Sequence, residues 1–524
     1  MKTKYFIILF SLALVSIFGC QKLTEDPKAQ ITPVTYFQSQ ADLDGAVAAC
    51  YECYAHDYGY GFTTRMNICF GADDLATHYA SNKYSMRIYD ELNGSATDGG
   101  VSACWSPFWT GIYQANNVIV NYGKVPTTED LKNGAAAQAY FLRAWGYYML
   151  VRSFGPVPLV LGASDITARP PRAAVSDVYA SIISDLTTAL SLFPASYKNS
   201  PDRPNPLTTQ ALLADVYLTM TGWPLNQAGN YALAATAANV VIQSGAYSLV
   251  PDYLTLFSTN NSQEAIWDLE FNMGNNTAQR GVGQSSIVDD EVGLDGSSGW
   301  DDYFPEVNFY KNAPKCKRTD ETFVTTIKLR NSDGVTYHLV PYSSDSTDVR
   351  HPSYKKFRYG VGVPGNGDGC IETANTIVTM HASTNKSNDI IRYPMVLLDY
   401  AEASAMASNG PTSASYNAIN LVRARAGEPS LTPGLSATQF QDSVVKERAY
   451  EFAGENGMRW FDIVRLQILP QVIAARSTAS SPDGRIIENA IVSTSLSDPS
   501  HCYLAPIPQS EMFLNPTWTQ NPGY

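Results

Sequence analysis

"AQAYFLRAWGYYMLVRSFGPVPLV", Ala137–Val160, is the stretch on which the fold turns. From Ala136 to Val151, the residues Ala137, Tyr140, Ala144, Tyr147, Tyr148 and Val151 recur three, four and seven apart, the spacing of one apolar helix face. Gly155 can cap this helix and Pro156 cannot continue it. Working outward, Leu43, Val47, Cys50 and Tyr54 mark an earlier helix, and helical patterns follow at Val175–Leu192, Thr208–Met220 and Tyr231–Gln243. Turns such as "NSPDRPNP" and "PLNQAGN" separate them. The spacing is irregular and no strict 34-residue consensus is visible. The reading is a mainly α protein built on a degenerate, tetratricopeptide-like array of helix pairs, which stack to bury a shared core.

From about Pro251 to Asp389 the pattern changes. Gly, Asn, Ser and Asp dominate, with short strand-like pieces in "AIWDLEF", "TYHLVPY" and "KKFRYGVGV". Loop-rich stretches this long are usually functional or disordered. Helical patterning returns at Ile391–Ser408, Ser415–Arg425 and Gln439–Leu469, and the tail from Tyr503 to Tyr524 reads as coil around a short turn. One unit from residue 20 to 524 is expected. It comprises a scaffold at about 40–250 and 390–470, a variable insertion at about 251–389, and a C-terminal coil segment at 470–524.

The chain has 524 residues, 44% apolar, enough for a sizeable core. Only 16% are charged, against about 25% in ordinary globular proteins. The formal charge of −13, with no basic run, argues against nucleic acid, whose binding needs Lys/Arg patches to release counterions. At the N-terminus Lys2 and Lys4 precede an apolar run from Tyr5 to Phe18, shorter than the roughly 20 residues needed to cross a bilayer. With the small Gly19 this describes an export signal over residues 1–19. Gly19-Cys20 is similar to a lipoprotein box, with Phe18 bulkier than usual, and makes Cys20 the expected lipidation site. The other cysteines (Cys50, Cys53, Cys69, Cys104, Cys316, Cys370, Cys502) read as packing residues, since Cys50-x-x-Cys53 lies within a helical pattern and lacks a second ligand pair.

Catalytic motifs are scarce. The histidines are scattered, without H-E-x-x-H or zinc spacing, and neither a G-x-S-x-G elbow nor a Walker A loop occurs. Gly360, Gly362 and Gly365 form a formal G-x-G-x-x-G, but "NGDG" follows where a helix should open. The acidic pairs Asp73/Asp74, Asp289/Asp290/Glu291 and Asp301/Asp302 are what a glycosidase would draw on, yet nothing marks one of them as a desolvated acid. No catalytic residue or metal ligand is assigned and no cofactor is expected, although Asp/Gly-rich loops leave room for a structural calcium ion.

Aromatic residues set among polar ones are more informative. Sugar rings offer apolar C–H faces for stacking and hydroxyls for polar side chains, so their sites mix the two. Two segments have this mixture. "FGADDLATHYASNKYSMRIYDELN" through "CWSPFW" offers Asp73, Asp74, Tyr79, Asn82, Tyr84, Arg87 and Trp105; "GSSGWDDYFPEVNFY" offers Trp300 and Tyr303. Trp109, Trp267, Trp460 and Trp518 sit in periodic or turn-packing contexts and read as core, whereas Trp300 is flanked by Gly299, Asp301 and Asp302, which are poor core neighbours.

Several stretches together resemble the SusD/RagB-like nutrient-binding lipoproteins of the Bacteroidetes cell surface, of the starch-utilisation-system type. They are the lipobox-like start, "TYFQSQADLDGAVAACYECY", "WTGIYQANNVI", the Ala137–Val160 stretch, "IIRYPMVLLDYAEASA", "AINLVRARAG", "VKERAYEFAGENGMRWFDIVRL" and "PIPQSEMFLNPTWTQNPGY". The resemblance spans nearly the whole chain, is specific at its ends, and departs at "FAGENGMR", where extra residues are expected to alter one turn. Glu447, Arg448, Glu451, Arg459, Asp462 and Arg465 in this signature suit ion pairing rather than ligand contact. The resemblance implies four tetratricopeptide-like helix pairs beside a variable binding region. It also implies an outer-membrane location facing outward, a lipid anchor on Cys20, a SusC-like TonB-dependent transporter as partner, and glycan capture without catalysis. A peptide-capturing member of the family and, more remotely, a surface glycoside hydrolase are the alternatives.

Overall fold

The computed structural model describes residues 36–61, 63–77, 80–162, 169–272, 282–358, 370–372, 375–380, 384–477 and 499–524. Cys20, Tyr79 and the G-x-G-x-x-G run lie outside these. The long helices are α1 Gln40–Ala55, α2 Gly99–Asn121, α3 Glu129–Phe154, α4 Val175–Leu192, α5 Pro206–Met220, α6 Asn230–Gln243, α7 Tyr393–Ala407, α8 Ser413–Ala426, α9 Ala437–Glu451 and α10 Met458–Leu466. From α1 to α7 each packs on the next, and α7 also carries α8 and α9. This is the mainly α array read from the periodicity.

Local chemistry fixes the ends of these helices. The Thr128 hydroxyl accepts from the Leu131 N–H at the start of α3, and Asn205 accepts from Leu207 and Thr208 ahead of Pro206 in α5. Thr412 with Ser415, and Ser436 with Gln439, form reciprocal caps at α8 and α9. Gly155 ends α3 as expected, its N–H donating to the Val151 carbonyl. Helix α3 is buried on nearly every side, not along one stripe, because α1, α2 and α4 all pack against it. Tyr54 of α1 inserts between α2 and α3 and donates to the Leu142 carbonyl at 2.9 Å. A Cβ on Gly111 or Gly146 would fall 2.5 or 2.7 Å from the Tyr54 hydroxyl, so both positions must be glycine for these helices to close around it.

Three elements differ from the sequence reading. Helix α2 was not among the expected helices: it contains Pro107, and its aromatic run "CWSPFW" reads as a ligand segment. The stretch 439–469 is not one helix, because the chain leaves α9 and turns through Gly454, Asn456 and Gly457, all left-handed, before α10 begins. This is the departure at "FAGENGMR". In the third strand-like piece the strand is Ser353–Tyr354, just ahead of "KKFR", and residues 355–358 form a turn.

The insertion leaves and rejoins the scaffold through one antiparallel pair, β1 (Ala265–Leu269) with β2 (Asn388–Arg392). Trp267 of β1 packs edge-on to Phe141 and Trp145 of α3, with ring centroids 5.0 and 5.1 Å apart, which seats the base of the insertion on the helical core. Among the described residues between β1 and β2, the strands pair as two-stranded ladders, including the hairpin Thr326–Arg330 with Tyr337–Pro341. Trp267 and Trp460 are buried, as read, and Trp109 and Trp518 pack against the core. Cys50, Cys53, Cys69, Cys104, Cys316 and Cys502 are buried, as packing residues would be.

Candidate ligand-binding surface

The two aromatic-polar segments meet although more than two hundred residues separate them. Ala76 and Phe304 exchange backbone hydrogen bonds at 2.8 and 3.0 Å, the Glu306 N–H donates to the Asp73 carbonyl at 3.2 Å, and the Thr77 hydroxyl donates to the Asp302 carbonyl at 2.8 Å. Lys83 completes the junction by donating to the Trp300 carbonyl at 2.8 Å and to the Asp302 carboxylate. The loop bearing Trp300 is fixed along its main chain as well, by N–H bonds from Trp300, Asp301 and Asp302 to the Gln284, Ile287 and Ser285 carbonyls.

Part of the expected set faces outward here. Trp300 is 37% exposed and Tyr84 48% exposed, and Asn82 is exposed. Arg87 is half-buried: its guanidinium lies 5.6 Å from the Tyr84 ring centroid, donates to the Ala80 carbonyl at 3.1 Å, and faces Glu91 at 3.6 Å. The surface therefore offers two aromatic rings, an amide and a guanidinium on segments joined through Lys83.

The other expected residues are placed differently. Tyr303 is fully buried against Tyr354 and Phe357, because it follows the turn at Asp301 into the core. Trp105 is buried within α2 against Phe154 and Trp109, at centroid distances of 4.9 and 5.5 Å. Neither ring is a stacking platform in this structure. Asp73 is engaged by both arms of Arg459 at 2.7 and 3.0 Å. Asp74 is enclosed: it accepts from the Gly454 N–H at 2.8 Å, and burial lifts its carboxyl from 3.8 to about 7. The remaining acidic residues are also engaged, Asp301 with His351, Asp302 with Lys83, Asp290 with Thr347, and Glu291 with Arg358. Sequence reasoning missed Lys83 altogether, because "SNKYS" carries every sign of an ordinary polar surface turn.

The residues of the C-terminal signature form the buried charge lattice expected of them. Arg448 joins Asp399 and Asp462, and Arg465 joins Asp462 and Glu402. Glu451 meets Arg318, Arg392 and Arg425, while Glu447 meets Arg318 and Arg423. Burial alone would raise the Glu451 carboxyl, but Arg425, Arg392 and Arg318 outweigh it and hold it at about 2. Asp462 is held at about 2 against burial by Arg448 and Arg465. Among the described residues no group of three or more His, Cys, Asp or Glu is disposed to hold a metal ion, and no helix is long and apolar enough to cross a membrane. A cleft of about 510 Å³ between α1 and α2, lined by Cys53, His56, Ser102 and Pro107 among others, has no aromatic ring other than His56 in its walls and suits sugar stacking less well than the Trp300 surface.

A family model described as "SusD family" matches residues 368–524, and one described as "Starch-binding associating with outer membrane" matches residues 23–218. The two leave 219–367, with Trp300, between them. SusD-like protein P2 of Formosa agariphila is 29% identical over 99% of this chain and 100% of its own length. A SusD homolog from Bacteroides thetaiotaomicron superposes with a TM-score of 0.76 at 24% identity, covering 94% of this chain and 98% of that one. A solved laminarin-binding SusD-like protein superposes with a TM-score of 0.68 at 20% identity, covering 93% and 100%.

Proposed function

Because the chain belongs to the SusD/RagB family, we propose that it captures oligo- or polysaccharide at the cell surface and passes it to a SusC-like TonB-dependent transporter. It does so without catalysis, tethered to the outer membrane through a lipid on Cys20. The observation that carries the glycan reading is the junction of Trp300 and Tyr84, exposed rings from distant parts of the chain brought to one surface beside Asn82 and Arg87. Aromatic faces stack on the C–H faces of a sugar, while the amide and guanidinium address its hydroxyls. The laminarin-binding neighbour supports a polysaccharide as cargo, and the model described as starch-binding and outer-membrane-associated supports the location.

Isothermal titration calorimetry against laminarin and a panel of α- and β-glucan oligosaccharides tests the proposal. A shallow surface buries little area, so wild-type affinity is expected to be micromolar or weaker. Trp300→Ala is expected to reduce it about 30-fold, the loss of about 2 kcal/mol that an interface anchor contributes. Binding to peptides and to none of the glycans would transfer the reading to the peptide-capturing alternative. Turnover of a glycan by the purified protein would overturn the non-catalytic reading.

A further inference from the structure

We infer that Lys83 is a positioning residue for the Trp300 ring, setting its pose from beneath the surface. The inference rests on the reading of Trp300 as a glycan-stacking group. Lys83 is 3% exposed although its neighbours Asn82 and Tyr84 face outward. Its ammonium donates to the carbonyl of Trp300 and to the carboxylate of Asp302, which is itself 5% exposed. A buried ammonium is tolerated only when paired and hydrogen-bonded, and both of its partners belong to the Trp300 loop.

The residue between those partners explains what the clamp does. Asp301 holds φ +49°, a left-handed conformation disfavoured for a residue with a Cβ. Lys83 grips the chain on either side of this kink, at residues 300 and 302. The Thr77 hydroxyl grips the Asp302 carbonyl, and the Ser285 carbonyl accepts its N–H at 2.7 Å. Without the ammonium, Asp301 is released toward ordinary backbone conformations and the plane of the preceding indole turns with it. Lys83 thus couples the two halves of the surface: the turn presenting Asn82 and Tyr84 and the loop presenting Trp300 share one buried fastening.

Lys83→Met, which keeps the length of the stem and removes its charge, tests this in the full chain. Hydrogen exchange at the Trp300, Asp301 and Asp302 amides, measured without glycan, is expected to accelerate about tenfold or more. Affinity for whichever glucan of the panel the wild type binds is expected to fall about tenfold. In a Trp300→Ala background the same substitution should have no further effect on affinity, a dependence that general loosening of the fold would not produce. If Lys83→Met leaves Asp302 too costly to bury and the protein fails to fold, Lys83→Met/Asp302→Asn removes both charges and serves for the same readouts. Unchanged exchange overturns the clamp, and accelerated exchange with unchanged affinity overturns the positioning role. Accelerated exchange in a protein whose wild type binds none of the glucans upholds the clamp and overturns the glycan reading instead.

Discussion

Asp74 accepts from the Gly454 N–H and is otherwise walled in, whereas its neighbour Asp73 is paired with Arg459. In the folded chain burial lifts the Asp74 carboxyl to about 7, so folding favours its protonated form. Its contribution to stability is complete below the unfolded value near 3.8 and is lost as pH rises through 7. Asp74→Asn retains an acceptor for Gly454 and removes the titration. It is expected to match the wild type near pH 4 and to exceed it at pH 8 by up to about 4 kcal/mol, read as a difference in urea midpoints at the two pH values. An equal difference at both would show that Asp74 does not titrate in this range. Position in sequence could not distinguish these two aspartates, since the separating partners, Arg459 and Gly454, arrive from the far end of the chain. Trp300 and Tyr303 teach the same lesson: the poor core flanks of Trp300 were readable, but the left-handed turn at Asp301 that sends Tyr303 inward was not.

Helix α9 carries Glu447, Arg448 and Glu451 on a spacing that was readable as ion-pairing. The partners were not, because they come from β2, α7, α8, α10 and the helix Lys317–Thr322. Arg448→Met strands Asp399 and Asp462 without this cation in the interior and is expected to cost about 3–5 kcal/mol, measured by urea unfolding at pH 7. Glu451 and Asp462 titrate in the opposite sense to Asp74. Their depressed carboxyls add stability that is present above their ordinary values and is lost as pH falls toward 2. Helix α2 shows why one long element escaped the sequence. Val101, Cys104, Trp105, Phe108, Ile112, Ala115 and Val118 keep a helical period behind an Asp98 cap, but Pro107 and the aromatic run invite a ligand-segment reading of the same stretch.

Across the whole molecule, the helical array was legible because period and turn residues agree in most of its helices. The path of the insertion was not, because short strands among glycines and asparagines hold little periodic signal, and its junction with residues 73–84 depends on contacts remote in sequence. The tether is testable at this scale: metabolic labelling with a fatty acid should mark the wild-type chain and not Cys20→Ala, and retention of label in the variant would locate the anchor elsewhere. The β1–β2 ladder, finally, bears on how such a protein diversifies. Ala265 pairs with Arg392, so the two ends of the insertion leave the core at neighbouring points. Once the ends of a loop are pinned, doubling its length adds only about 0.6 kcal/mol of closure entropy. Loops within the insertion can therefore lengthen or shorten at little entropic cost, while the parts that enter the core, such as Tyr303 and Arg318, stay fastened to the helical chassis.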